Sequence, residues 1–364
     1  MGITITHERN QQQLEFEQAT TAAPVQLFGF GLVVHGLDTT ANAAKIHPRQ
    51  RRGLDCTMLR TQWLSYLDQH GGTPQANRGV CYLPELSVLE FNGPDAVTFL
   101  QGYLTRDTAE LPVNQLAATA VCNLKGRVVV NGWCFRGDQG PDQSAHAGLA
   151  QSVTLVVHGS LRERLTEFFK AYLMFSKTTL TDLSNTTLVF GTPEAAGGLT
   201  VGADQRLLVT RDLAAARGLW ESAPHGSADW WWQALIEAEI PVVTDATSEA
   251  FLPQMLGLEK LGAIDFDKGC YLGQEVVARA QHRGEVKRRL QRMRWSGPRP
   301  AAPGAPLTSA DASARRIGTV INSITDFSPE STAENADTGT CLAIVSVDAA
   351  APFKCQEVVF NPAR

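Results

Sequence analysis

The sequence predicts an α+β fold with a small all-β module at its carboxyl end, and three observations point there. Its 364 residues leave room for two or three domains at about 150 residues each. Between Leu86 and Thr244, short runs with strand character alternate with segments of helical period. Beyond the Pro- and Ala-rich stretch from Pro298 to Pro306, only short strands separated by polar loops follow.

Taken in order, residues 1–57 mix Gln, Thr and Ala with a basic run at Arg49, Arg51 and Arg52. They lack sustained apolar periodicity and read as a poorly ordered extension. Trp63, Leu64 and Leu67 then repeat at helical spacing up to a stop at Gly71-Gly72. Ser87 to Phe91 reads as a strand, and Pro94 as the first position of a short helix ending near Gly102. Gln115 to Cys122 and Arg127 to Phe135 form a hairpin around Asn123-Leu124-Lys125-Gly126. After a strand at Val153 to Val157, Ser160 and Glu163 form a capping box. It precedes a helix with Leu161, Leu165, Phe168, Phe169 and Tyr172 on one face. Strands follow at Thr178 to Leu183, Thr186 to Phe190 and Arg206 to Thr210, then a helix from Ala228 to Ala238 and a strand at Pro241 to Thr244. The tail carries strands at Ile317 to Ile324, Thr340 to Val347 and Cys355 to Phe360. The expected organisation is an extension over 1–57, an α+β domain over 58–285 and a β-module over 286–364.

Composition narrows the function. The chain is 43% hydrophobic and 19% charged with net charge −5, which excludes a disordered polyelectrolyte and a chain-wide basic field for nucleic acid or membrane. It has no run of about 20 apolar residues and no positively charged, apolar leader, so a soluble cytoplasmic protein without a membrane partner is expected. Seven cysteines, odd in number and without a C-x-x-C pair, argue against a disulfide framework or a zinc ribbon and fit a reducing compartment.

The chemistry concentrates in Lys268-Gly269-Cys270-Tyr271-Leu272-Gly273-Gln274-Glu275. Two glycines flank a thiol, a helix starts near Gln274, and Lys268 stands two residues away, a context that favours thiolate. Two readings of Cys270 stay open, a reactive thiol and a small buried apolar side chain. No further ligand stands at a useful spacing, so no complete metal site is expected. From Lys268 to Arg294 eight cations face two anions, a local +6 that includes Arg279, Arg283, Lys287, Arg288 and Arg289. It reads either as a docking surface or as a solvated helix face and loop. Trp230-Trp231-Trp232 on one helix cannot all face one core, so at least one ring is expected to meet a ligand or a domain interface.

Lys268, Gly269, Cys270, Tyr271, Gly273, Gln274 and Glu275 match every defined position of a K-G-C-Y-x-G-Q-E signature. In this the chain resembles the YgfZ family of folate-binding proteins, relatives of the glycine-cleavage aminomethyltransferase. NGPDAVTFLQGYLTRDTAELP, CNLKGR and IEAEIPVV resemble further family segments, with Glu239 standing where the family carries glycine. The resemblance runs from about residue 80 to the end. It implies an aminomethyltransferase-like folate-binding α+β fold with ferredoxin-like lobes around a funnel and a small C-terminal β-barrel. It also implies tetrahydrofolate as cofactor and an accessory role in assembly or repair of iron-sulfur clusters in client enzymes, including a radical enzyme that modifies tRNA. On that footing Cys270 is the catalytic thiol, facing a cluster, an iron species or a client cysteine. Trp231 stacks on the folate ring, Lys268 or Arg279 pairs with its glutamate tail, and Gly269, Tyr271, Gly273, Gln274 and Glu275 complete the cofactor site. The transferases carry an acid pair that the comparable stretch Lys125 to Val130 lacks, which disfavours the alternative of a folate-dependent one-carbon transferase. A third alternative is a non-catalytic scaffold whose basic stretch docks a protein or tRNA.

Overall fold

The computed structural model describes residues 59–71, 78–111, 115–136, 151–193, 199–201, 205–282, 286–311, 314–326 and 338–363. The 1–57 extension and Arg283 lie outside the described residues.

The first sheet is antiparallel and built from β2 (Leu86–Gly93), β3 (Ala117–Cys122), β4 (Val128–Arg136), β5 (Gln151–His158) and β6 (Thr179–Asp182), in the order β3-β4-β5-β2-β6. The second combines β1 (Cys81–Tyr82), β7 (Leu188–Pro193), β8 (Leu199–Thr200) and β9 (Gln205–Thr210) in the order β1-β7-β9-β8. Both faces of the first sheet are covered, which explains its apolar runs. Leu89, Phe91, Val153 and Leu155 enter the core beneath α2 (Ala96–Gln101) and α3 (Arg162–Leu173). Val88, Trp133 and Val156 point the other way, into a core shared with the second sheet and α5 (Ala228–Glu237). A strand buried on both faces has no need of polar alternation. A third core joins α1 (Leu59–His70), α4 (Leu213–Ser222) and β7 through Trp63, Trp220 and Phe190.

The carboxyl end closes as a six-stranded barrel in the order β10 (Arg288–Ser296), β13 (Thr338–Ser346), β12 (Arg316–Thr325), β11 (Pro306–Ser309), β14 (Phe353–Cys355) and β15 (Val358–Pro362). On β12 (Arg316–Thr325) and β13 (Thr338–Ser346), Val320, Cys341, Ala343 and Val345 fill its interior. Ile321, Leu342 and Ile344 join the main core outside it. The barrel is thus docked on the α+β body by one strand face, with Asn322 as a polar latch. Its Nδ2 donates to Val242 O and its Oδ1 accepts from Val242 N, both at 2.8 Å.

Five local expectations are revised. Pro241 to Thr244 is not a strand, because Asn131 and Asn322 side chains satisfy its backbone in place of a neighbouring strand. Ser160 closes no capping box. It sits in a 3-10 turn, Gly159–Leu161, where its Oγ accepts from Asp245 N, and the cap of that turn is His158. Pro94 precedes the cap residue Asp95 instead of opening α2. The basic run beyond Lys287 is a strand, β10 (Arg288–Ser296), and Cys355 to Phe360 splits into β14 (Phe353–Cys355) and β15 (Val358–Pro362) around Gln356, whose φ is 53°.

Asn131 is 7% exposed, and its side chain donates to Pro241 O and accepts from Val243 N, both at 2.8 Å. Replacing it with Ala strands two buried backbone groups. Asn131→Ala is expected to lose about 2 to 3 kcal/mol in urea denaturation, whereas a surface control such as Glu163→Ala loses less than about 0.5 kcal/mol.

Candidate functional site

Three separate segments meet around the thiol. After α2 the chain turns through Gly102 to Thr108 and passes between β3 and the loop at Gly262 to Lys268. Thr105 holds both sides: its N donates to Ala120 O at 2.9 Å and its Oγ1 to Ala263 O at 2.6 Å. Asp265 adds a second clasp, accepting from Asp107 N at 2.6 Å beside the Arg106 guanidinium at 3.4 Å. The decisive contact is Lys268, 7% exposed, whose Nζ donates to the carbonyls of Gln101, Leu104 and Arg106 at 2.9, 2.6 and 3.0 Å. An ammonium has three N–H bonds, and all three are used. Burial pulls its pKa down to about 8, and the three carbonyls are what make a lysine tolerable there.

Tyr271, 7% exposed, lies beneath that ammonium, 5.2 Å from Nζ to the ring centroid, and burial pushes its phenol up. Next to it, Leu272 N donates to Gly102 O at 2.9 Å. Lys268 and Tyr271 therefore point inward as two anchors, and the two residues between them, Gly269 and Cys270, are exposed. The geometry sets aside the buried reading of Cys270: the residue is exposed. In contrast, burial pushes Cys122, Cys134 and Cys341 up to about 12.

The segment then folds over the β3–β4 hairpin turn. Gly273 has φ +81°, and a Cβ there would stand 2.3 Å from Asn123 O. Across the contact, a Cβ at Gly126 (φ +68°) would meet Val276 at 2.9 Å. Two glycines thus face each other where the hairpin turn supports the start of α6 (Gln274–His282). The turn itself is set by Asn123, whose Oδ1 accepts from Lys125 N and Arg127 N and whose Nδ2 donates to Glu249 Oε2 at 2.9 Å.

An open cleft of about 640 Å³ lies on this junction. Leu124, Lys125 and Arg127 come from the hairpin turn, Leu272 from the thiol segment, Phe168 and Tyr172 from α3, Glu249 and Ala250 from the loop before Phe251, and Arg288 from β10. Cys270 is two residues from the Leu272 wall. Glu249 restores a carboxylate that the hairpin turn lacks, yet both its oxygens are engaged, one by Asn123 and one by Arg164 at 3.5 Å. It braces the turn more than it offers a base.

Several predicted roles are corrected. Trp231 is fully buried, edge-on to Trp133 and Trp232 with centroids 6.0 and 5.1 Å away, and has no accessible face for a ligand. Trp230 is buried as well and donates to Gly79 O, so only Trp232 of the three is half-exposed, beside His158. Lys268 is spent on three carbonyls and serves neither a glutamate tail nor the thiol. Gly269 faces open space, and no other described part of the protein approaches it closely. Gln274 is half-exposed and opens α6; Glu275 and Arg279 pair with each other at 3.0 Å on its surface. The cationic run is spread over several elements: among its described residues Arg279 is on α6, Lys287, Arg288 and Arg289 are exposed at the start of β10, Arg292 donates to Glu237 O and Arg294 pairs with Asp326. Among the described residues no group of three His, Cys, Asp or Glu could hold a metal, and no helix is long and apolar enough to cross a membrane.

A protein named tRNA-modifying protein YgfZ from Sodalis glossinidius (strain morsitans) is 31% identical over 270 residues, covering 66% of this chain and 78% of that protein. The chain belongs to the YgfZ family. Its namesake from Cronobacter sakazakii (strain ATCC BAA-894) is likewise 31% identical, over 273 residues. No family model matches the sequence. Among solved structures, glycine cleavage system aminomethyltransferase T from Bartonella henselae superposes with a TM-score of 0.57 at 13% identity, covering 82% of this chain and 88% of that one. The chain therefore has the aminomethyltransferase-like fold with a C-terminal β-barrel.

Neither Phe168 and Tyr172, read in sequence as core, nor Glu249, 126 residues from Asn123, announced itself as part of the cleft. Two outcomes test the geometry. Lys268→Met leaves one buried and two partly buried carbonyls without their donor and is expected to cost about 2 to 4 kcal/mol in urea unfolding. In native protein at neutral pH, maleimide labelling should reach Cys270 well before Cys81, Cys122, Cys134 and Cys341, and mass mapping of a short pulse reads this directly.

Proposed function

We propose that this chain is a folate-binding accessory protein supporting assembly or repair of iron-sulfur clusters in client enzymes, tRNA-modifying enzymes among them, with Cys270 as its working thiol. The observation that carries the reading is an exposed cysteine held between two buried anchors, two residues along the chain from Leu272 in the lining of an open cleft. Its thiolate would be a soft ligand for iron and a nucleophile toward a client thiol in a disulfide. The fold shared with an aminomethyltransferase and the relatives' naming for tRNA modification support the same reading.

The cleft suits a reduced folate. Its volume falls within the roughly 300 to 1,000 Å³ of small-molecule sites. Phe168 and Tyr172 are half-buried rings on which a pterin or benzoyl group can stack, and Lys125, Arg127 and Arg288 are cations for the carboxylates of the tail. These side chains take over the roles first expected of Trp231 and Lys268.

Calorimetric titration with tetrahydrofolate should saturate, with Tyr172→Ala and Arg288→Glu each weakening it about tenfold, near 1.4 kcal/mol. Cys270→Ser should bind folate as the unaltered protein does but fail to restore iron-sulfur enzyme activity in deficient cells. Absence of saturable heat in the unaltered protein removes folate from the reading, and full restoration by Cys270→Ser removes the thiol.

A further inference from the structure

Between the cleft and the thiol segment stands an aromatic ring that neither has claimed. Tyr103 is half-buried and outside the cleft lining. Its ring centroid nevertheless lies 5.0 Å from that of Tyr172 and 6.4 Å from that of Phe168, the two rings that do line the cleft. Phe99 at 4.9 Å and Phe169 at 5.5 Å hold it on the side of the core.

The backbone on either side of that ring is tied to the thiol segment. Leu272 N, two residues after Cys270, donates to Gly102 O, and Lys268 Nζ, two residues before it, donates to the carbonyls of Gln101, Leu104 and Arg106. The carbonyls directly before and after Tyr103 therefore both accept from residues that flank the cysteine. The other polar side chains of the turn brace it elsewhere: Thr105 donates to Ala263 O, Arg106 to Gly262 O and Thr108 to Val97 O. Tyr103 is the one aromatic side chain of the turn, and it meets the cleft's rings directly.

We propose that Tyr103 is a positioning residue that couples occupancy of the cleft to the reactivity of Cys270. This deepens the preceding reading and rests on its folate ligand. A flat ring stacked on Tyr172 or Phe168 confines those side chains from the cleft, while Tyr103 confines them from behind. The bound state thus holds Tyr103 in place, and with it the carbonyls of Gly102 and Leu104 against the thiol segment. Without a ligand the same rings face open space, and the turn has more freedom to loosen. A ligand shifts such a balance only through contacts it makes better in one state, and here those contacts are with Tyr172, Phe168 and Leu272, all in the lining.

The test follows alkylation of Cys270 by iodoacetamide, read by peptide mass mapping, with and without tetrahydrofolate at a concentration that calorimetry shows to be saturating for each variant. In the unaltered protein tetrahydrofolate should slow alkylation about fivefold, the lower end of couplings between sites. Tyr103→Phe keeps the ring and should behave alike. Tyr103→Leu keeps much of the apolar bulk without the flat ring, and should bind tetrahydrofolate yet show less than about twofold slowing. Tyr103→Met carries the same expectation and takes its place if Tyr103→Leu does not fold. Binding without slowing in the unaltered protein overturns the coupling. Equal slowing in Tyr103→Leu means that the ligand shields the thiol directly, and loss of tetrahydrofolate binding in the Leu and Met variants makes Tyr103 a ligand contact; either result overturns the positioning role. None of these three results touches the preceding reading, whereas absence of saturable heat in the unaltered protein removes both.

Discussion

A buried ammonium holds the candidate site of this molecule together. Lys268 reaches from the thiol segment into the turn after α2 and ties down the carbonyls of Gln101, Leu104 and Arg106. Those carbonyls have no strand or helix partner for the bonds Lys268 makes, and a buried acceptor without a donor is costly. The lysine itself is equally costly without them. Each half of the contact makes the other permissible, so two distant stretches of chain are committed to one arrangement. Thr105, Asp265 and the Leu272–Gly102 bond repeat that commitment around the same turn.

Display of the thiol follows from this anchoring more than from any property of the cysteine. With Lys268 and Tyr271 both drawn inward, the backbone between them has only the outward direction left, and Cys270 is carried to the surface with Gly269. The glycine pair Gly126 and Gly273 then lets the hairpin turn lie directly against the segment. The cleft beside it is the seam where hairpin, helix, loop and barrel strand fail to close completely. A motif that reads as a catalytic cluster is thus mainly a scaffold around one presented atom.

The barrel contributes to the site without belonging to its fold. Its outer face of Ile321, Leu342 and Ile344 merges with the main core, and the Asn322 latch fixes it to the segment after α5. That docking brings Arg288 to the cleft. A cation from one module and rings from another then line the same space, the usual outcome when a binding site sits at a domain junction.

Periodicity in the sequence was enough for the α+β class, the β3–β4 hairpin, the position of α5 and the all-β tail, because those depend on alternation and turn residues within a few positions of each other. Composition and motif also singled out Cys270. What they left open was direction. Whether Lys268 points at the thiol or into the core, and whether Trp231 or Tyr172 keeps an accessible face, depends on which distant carbonyls and side chains arrive alongside. Glu249 reaches Asn123 across 126 residues of chain, and no local spacing encodes such a meeting. The chain by itself determined which elements form and which residue carries the thiol. Only tertiary packing decided which charges and rings are spent inside and which remain for a ligand, because burial and hydrogen bonding are settled between segments far apart in sequence.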